Sequence, residues 1–241
     1  MPISKFFYPK YDIDLKRLGN EYDGGYLISK TTLKNTKNLI SLGINDDWSF
    51  EKDFNKNNLK ANIYCFDNQL DLRFLIKRLI VDLVFFIFNF NLQNIYKKIY
   101  KIIDYIKVSK KFFFYKKEIS YGDLKKILKN KSKIFVKIDI EGSEYRILDE
   151  LLSNKDILGA VIEFHNFNLN MDLIEKKLKK TKLKIVHIHG NNYSKIDKLN
   201  IPEVVEITLD RNVRNKKKIT LPNILDKPNN SKNKEMKLNF C

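Results

Sequence analysis

Apolar positions along this chain fall into short continuous runs, separated by segments of helical spacing. Residues 38–43 (NLISLG), 61–67 (ANIYCFD), 133–139 (KIFVKID), 159–165 (GAVIEFH) and 183–189 (LKIVHIH) are β-rich and nearly unbroken in hydrophobicity. Strands covered on both faces have this pattern. Between them, 49–58, 121–130, 143–154 and 171–181 read as amphipathic helices. The alternation predicts a doubly wound, mainly parallel α/β sheet with right-handed crossovers. The run 203–211 (EVVEITLDR) follows its predecessor too closely for a parallel crossover, so it is expected to return antiparallel.

Residues 68–117 interrupt this rhythm. Their 74–90 stretch (FLIKRLIVDLVFFIFNF) is strongly apolar, but Lys77, Arg78 and Asp82 break it, short of the roughly 18 to 20 apolar residues that span a bilayer. It reads as soluble or interfacial and offers a peripheral membrane contact. The following LQNIYKKIYKIIDYIKV spaces Ile and Tyr three and four apart. Together they predict a helical insertion that either packs as a lid or partner surface or extends the core. The end, about 212–241, is polar, rich in Asn and without periodicity, and is expected to wrap the surface or fray.

Composition narrows the class. A length of 241 residues with 43% hydrophobic positions supports one sizeable core, read as a single domain over 1–241. The net charge of +17 invites a phosphate-rich partner. The lysines are scattered, however, which favours a solvated surface and no specific nucleic acid. The rival reading is a basic α/β protein that binds nucleic acid or a membrane surface. Two cysteines, Cys65 and Cys241, argue against a disulfide scaffold. With no signal-like apolar N-terminus, the expected location is cytoplasmic, with the inner membrane face as an alternative.

In open α/β sheets, ligands bind where strands end. The first strand ends at Gly43, followed by Asn45, Asp46 and Asp47; one glycine among acids suits a cationic or zwitterionic ligand and would serve a pyrophosphate badly. The second ends in Asp67, placed to hydrogen-bond ribose hydroxyls. In 133–145, a period of two puts Lys137, Asp139 and Glu141 on one side, with Glu144 beyond Gly142. Glu163 and His165 share a side of the next strand. If the two strands are neighbours, these groups converge in one cleft, with a structural Lys137–Glu163 ion pair beneath them as the simpler alternative. His187 and His189 read as core or substrate contacts.

Taken in order, YDGGYLI (22–28), SLGINDDWSFE (41–51), YCFD (64–67), VKIDIEGSEYRIL (136–148), VIEFH (161–165) and HIHGNN (187–192) resemble the FkbM-type methyltransferases. The likeness is to their bacterial branch with a DGGY segment ahead of the first strand. LPNILDKPNN (221–230) resembles that branch's closing segment. The resemblance implies a class I, Rossmann-like methyltransferase fold: a mainly parallel seven-stranded sheet in the order 3-2-1-4-5-7-6, with a final antiparallel strand. It implies O-methylation of sugars or related hydroxyl compounds, with S-adenosyl-L-methionine as methyl donor. Gly24, Gly25, Tyr26, Gly43, Asn45, Asp46 and Asp67 would then bind the cofactor. Asp139 and Glu141 would stand beside the sulfonium and acceptor, and His165 is the first choice of base because its pKa lies near working pH. Oxygen ligands from Asp139, Glu141 and Glu163 would suit Mg²⁺, as an alternative. The acceptor would be a small molecule or glycan; an RNA methyltransferase is the rival within catalysis. Oligomeric state is not legible.

Overall fold

Phe135 and Val136 are neighbours in sequence and belong to opposite cores. Their strand is apolar on both faces because helices cover both. The computed structural model describes residues 2–89 and 92–241; Phe90, the last residue of the 74–90 stretch, lies outside them. In chain order the elements are β1 (Leu15–Leu18), β2 (Tyr26–Ser29), α1 (Lys30–Asn35), β3 (Asn38–Leu42), α2 (Ser49–Asn57), β4 (Asn62–Asp67), α3 (Leu72–Asn89), α4 (Leu92–Val108) and β5 (Phe113–Lys116). There follow α5 (Asp123–Leu128), β6 (Ile134–Ile138), α6 (Glu144–Ser153), β7 (Ile157–His165), α7 (Phe167–Leu178), β8 (Lys184–Gly190) and β9 (Val204–Asp210).

Seven strands form one sheet in the order β5-β4-β3-β6-β7-β9-β8. All neighbours are parallel except β9, which runs antiparallel to both β7 and β8. Numbered within the sheet, this is 3-2-1-4-5-7-6, the class I methyltransferase order. On one face Ile134, Val136 and Ile138 pack with residues of α5, α6 and α7. On the other, Phe135 packs with Leu33 of α1, Phe50 and Phe54 of α2, Leu75 of α3 and Val108 of α4. Burying side chains of this size contributes about 1.5–3 kcal/mol each.

The segment 68–117 departs from its expectation at one end. It is helical over α3 and α4, but Phe113–Lys116 is a strand on the sheet edge. Its aromatics stack on β4, Phe113 on Tyr64 at 5.0 Å and Tyr115 on Phe66 at 4.8 Å between ring centres. Such cross-strand pairs stabilise a four-residue strand that no long apolar run announces. The antiparallel pair β1–β2 is likewise too short to show a period. It packs against β7 and β9, and Thr208 of β9 donates to the Leu27 carbonyl at 2.6 Å. The C-terminal segment wraps the body: Ile3 bridges to Phe240 and Tyr11 to Lys216. Among the described residues, no helix is long and apolar enough to cross a membrane.

Candidate active site

The ends of β3, β4, β6 and β7 open into a cavity of about 770 Å³ lined by Gly43, Asp67, Asp139, Glu163 and His165, among others. Gly43 sits at φ +74°, and a Cβ there would stand 1.6 Å from the Asp139 carbonyl oxygen. Only glycine lets the β3 loop lie this close to the end of β6. Lys137, buried in β6, donates to the Gly43 carbonyl at 2.8 Å and stands 3.9 Å from the Asp139 carboxylate. The expected Lys137–Glu163 ion pair is therefore corrected. Glu163 instead accepts from Asn191 at 2.9 Å and lies 3.2 Å from the Tyr26 hydroxyl.

Tyr26 lies between two acids, its hydroxyl 3.2 Å from both Asp139 and Glu163. One hydroxyl has one proton to give. Burial, then the charges of Asp139 and Glu206, push Glu163 up to about 8. A neutral Glu163 can donate to the Tyr26 oxygen while Tyr26 donates to Asp139, so all three groups are satisfied.

His165 ends β7, and its Nδ1 stands 2.6 Å from Oε1 of Glu144, the first residue of α6. Glu144 is fully buried and also accepts from the Gly142 amide at 3.0 Å. Tyr145 donates to the His165 carbonyl at 2.6 Å. With Nδ1 committed to Glu144, Nε2 faces the acids, 4.0 Å from Glu163. Burial alone would lower the His165 pKa. The hydrogen bond and charge of Glu144, with the charge of Asp139, outweigh it and raise the pKa above its ordinary value. A buried acid behind a histidine fixes the tautomer and stabilises the imidazolium, as an orienting carboxylate does behind a general base.

The other expected residues divide. Asn45 lines the cavity. Asp67 lines it too, but its Oδ2 accepts from the amides of Ile44 and Asn45 (3.1 and 2.8 Å) and its Oδ1 from those of Gln69 and Leu70 (both 2.8 Å). Its acceptor sites organise two loops. Asp46 faces away: Arg78 of α3 and Lys101 of α4 hold it at 2.6 and 3.1 Å, so it fastens the insertion. Gly24 and Gly25 lie in the turn between β1 and β2 rather than in the cavity wall. A Cβ on Gly25 would stand 2.1 Å from the Asn20 carbonyl, so the turn itself requires glycine there. Glu141 does not continue the alternation of β6. The strand ends at Ile138 and the chain turns left-handed at Glu141 (φ +47°), leaving that carboxylate exposed at the rim. The expected ligand set changes accordingly: Asp139, Glu163 and His165 each offer one ligand atom, all within 4.8 Å of one another, with Glu141 outside the group.

Sequence reading missed Glu144 as the partner of His165, Asn191 as the partner of Glu163, and the placement of Tyr26 between the acids. Glu144 carried a weak signal, as a carboxylate at the start of a helix two residues beyond the glycine.

His187 and His189 are buried away from the cavity. His187 stands 2.9 Å from Asp226 and His189 2.8 Å from Glu235, both acids from the C-terminal segment. His189 also faces Glu206 of β9 at 3.3 Å. Burial opposes its charge, but the hydrogen bonds and charges of these acids raise it to about 10.

No family model and no curated protein matches the chain. Several solved structures resemble it, among them two at low identity. One is precorrin-6y C5,15-methyltransferase from Geobacter metallireducens GS-15, with TM-score 0.41 and 13% identity over 75% of this chain and 83% of that one. The other is a fibrillarin/Nop5p complex, with TM-score 0.41 and 12% identity over 80% and 90%. Likeness of this degree bears on neither activity nor substrate; the strand order speaks for the fold, and the cavity for the chemistry.

Proposed function

We propose that this chain is an S-adenosylmethionine-dependent O-methyltransferase of the FkbM type, acting on a hydroxyl of a sugar or related small molecule. The observation that carries the reading is the Glu144–His165 pair, which aims Nε2 into an acidic cavity at the strand ends beside Gly43. The cavity fits the cofactor's chemistry. The backbone-on-backbone contact at Gly43 leaves the space free, and Asp23, Asp67, Asp139 and Glu141 around it suit a ligand bearing a sulfonium and an ammonium. Gly43, Asn45 and Asp139 would hold the methionine end, and the loops organised by Asp67 the ribose. When bound, the cofactor supplies an electrophilic methyl group.

The residues of the chain do the rest. Orientation of the acceptor oxygen can contribute up to about 7–11 kcal/mol. His165 Nε2 takes the hydroxyl proton as the ether forms, a step worth about 10²–10⁴-fold, and Glu144 stabilises the resulting imidazolium. Tritium transfer from labelled S-adenosylmethionine into glycan, small-molecule, RNA and protein fractions tests the assignment. Label in sugar-bearing products is expected; label confined to RNA, or none, overturns it. The acid-rich wall disfavours a polyanion despite the net charge.

One observation favours a second reading. Asp139, Glu163 and His165 are close enough to share a divalent cation. A histidine nitrogen among two carboxylates suits Mn²⁺ or a later metal better than Mg²⁺. In that case His165 is a ligand and cannot be the base. Activity abolished by EDTA and restored by added metal favours this version, while activity indifferent to EDTA favours the base.

A further inference from the structure

The helical pair α3–α4 carries a second feature that the proposed chemistry does not use. Both helices turn one face to the body. Phe74, Leu75, Ile102, Tyr105 and Val108 pack on the core there, Asp104 binds Trp48 and Lys52 of α2 at 2.8 Å, and Asp46 holds Arg78 and Lys101. The opposite faces are apolar and open to solvent. On α3, Ile80, Val81, Leu83, Val84 and Phe85 are each between 44% and 58% exposed, and on α4, Tyr96 and Tyr100 are 72% and 58% exposed. On a solvated surface such a run of large apolar side chains marks an interaction site.

The charge around the patch identifies the occupant. Residues 72–111 hold nine Lys and Arg against two acids, Asp82 and Asp104. Asp104 is turned inward onto α2. Arg73, Lys77, Lys97 and Lys107 are exposed along the same two helices, and Lys110 and Lys111 are exposed just beyond the end of α4. Apolar side chains bordered by cations, on helices too short in apolar length to span, are how a protein lies in the interface of an anionic bilayer. A second copy of the chain would bring two +17 molecules together at their basic faces, which charge repulsion opposes. We infer that the α3–α4 pair docks this protein on the surface of a membrane containing anionic lipid, with the exposed face of both helices in the headgroup region. Asp46, which holds the pair, is one residue from Asn45 in the cavity wall, so docking would place the cavity close to the lipid surface.

Flotation of the purified full chain with phosphatidylcholine vesicles, with and without phosphatidylglycerol, tests this. Flotation with the anionic vesicles, reduced by salt, is expected. Val84→Asp with Tyr100→Asp should weaken it at least about tenfold by removing apolar insertion. Lys97→Glu with Lys107→Glu, whose side chains are exposed, should weaken it comparably, so the test survives even if the first variant fails to fold. No flotation of the parent chain, or equal flotation of the charge variant, overturns the inference. So does a dimer seen by sedimentation that Val84→Asp with Tyr100→Asp dissolves, since the occupant would then be a second copy.

Discussion

The chain has three histidines, and the structure uses them in two opposite ways. His165 sits at a strand end with a buried acid behind it and a cavity in front. His187 and His189 sit inside the sheet's far side, with acids of the C-terminal segment locked over them. The two regions touch. Glu163 of β7 is paired across the sheet with Glu206 of β9, and Glu206 with His189 of β8. The same motif serves both: Asn191 reaches Glu163, while Asn192 donates to the carbonyls of Asn230, Asn233 and Lys234. Besides its lesser burial, what separates the histidine proposed as base from the fastening His189 is that its second nitrogen is left open. In His165 it is; in His189 Glu206 and Glu235 take both nitrogens.

The largest effect should fall on the fastening side. His189→Ala leaves Glu206 buried and Glu235 half-buried without their shared cation, and breaking a buried pair such as His189–Glu206 costs about 3–5 kcal/mol. A melting curve should show the loss, with the C-terminal segment opening first in hydrogen exchange. The pH dependence follows from the same group. Its folded pKa, about 10, lies above the ordinary histidine value near 6.5. Its contribution is thus complete below pH about 6.5 and is lost as pH rises through about 10. Parent stability should decline across that window more steeply than that of His189→Ala. Equal pH profiles would show that His189 is not the charged clasp described.

On the cavity side, His165→Ala should lower kcat by about 10²-fold or more and leave cofactor affinity nearly intact. Because Glu144 and Asp139 raise the His165 pKa above its ordinary value, turnover of the parent should climb with pH at a midpoint above about 6.5. Glu144→Gln should move that midpoint down. If His165→Ala turns over normally, the contrast between the two regions fails and the base must be sought at Asp139.

Much of this arrangement was legible before any coordinates. Strands of the buried sheet announce themselves as unbroken apolar runs because both faces are covered, and the close spacing of 203–211 to its predecessor implied the antiparallel β9 that lies between β7 and β8. The residues that line the cavity from strand ends, Gly43, Asp139, Glu163 and His165, follow directly from that frame. What was not legible depends on contacts distant in sequence or on local turns. Tyr26 meets Asp139 across 113 positions. Glu141 leaves its expected side because a left-handed turn, not a strand, carries it. Asp46 and Asp67 stand side by side with the cofactor loop in sequence reasoning, yet one binds the insertion and the other binds amides. Residue type fixed their charge; only the fold decided which partner claimed it.

Asp67 gives the next smaller effect and sharpens where the cavity side ends. Removing its carboxylate frees the amides of Ile44, Asn45, Gln69 and Leu70 together. Asp67→Ala should therefore weaken S-adenosylmethionine binding at least about tenfold by calorimetry, roughly 1.4 kcal/mol, because both loops lose their anchor. Asp67→Asn keeps one oxygen as acceptor and should fall between. Unchanged affinity in a folded Asp67→Ala protein would remove these loops from the cofactor site.

The smallest effect is expected at Glu141, and its smallness is the point. Its carboxylate is exposed at the cavity rim and lies outside the Asp139–Glu163–His165 group. Its backbone is left-handed at φ +47°, a conformation that costs a non-glycine residue about 1–2 kcal/mol. Glycine relieves that strain but gives back about 0.5–1 kcal/mol in unfolded-state entropy. Glu141→Gly should thus leave the protein as stable or slightly more stable, with a rise in melting free energy on the order of 0.5 kcal/mol. Turnover should stay within a few-fold of the parent, since no group that meets Nε2 of His165 has been touched. A tenfold or greater loss of kcat with stability unchanged would mean that the rim carboxylate reaches the acceptor. The reactive region would then extend past the strand ends onto the turn, and the line between the two histidine regions would no longer coincide with the line between chemistry and support.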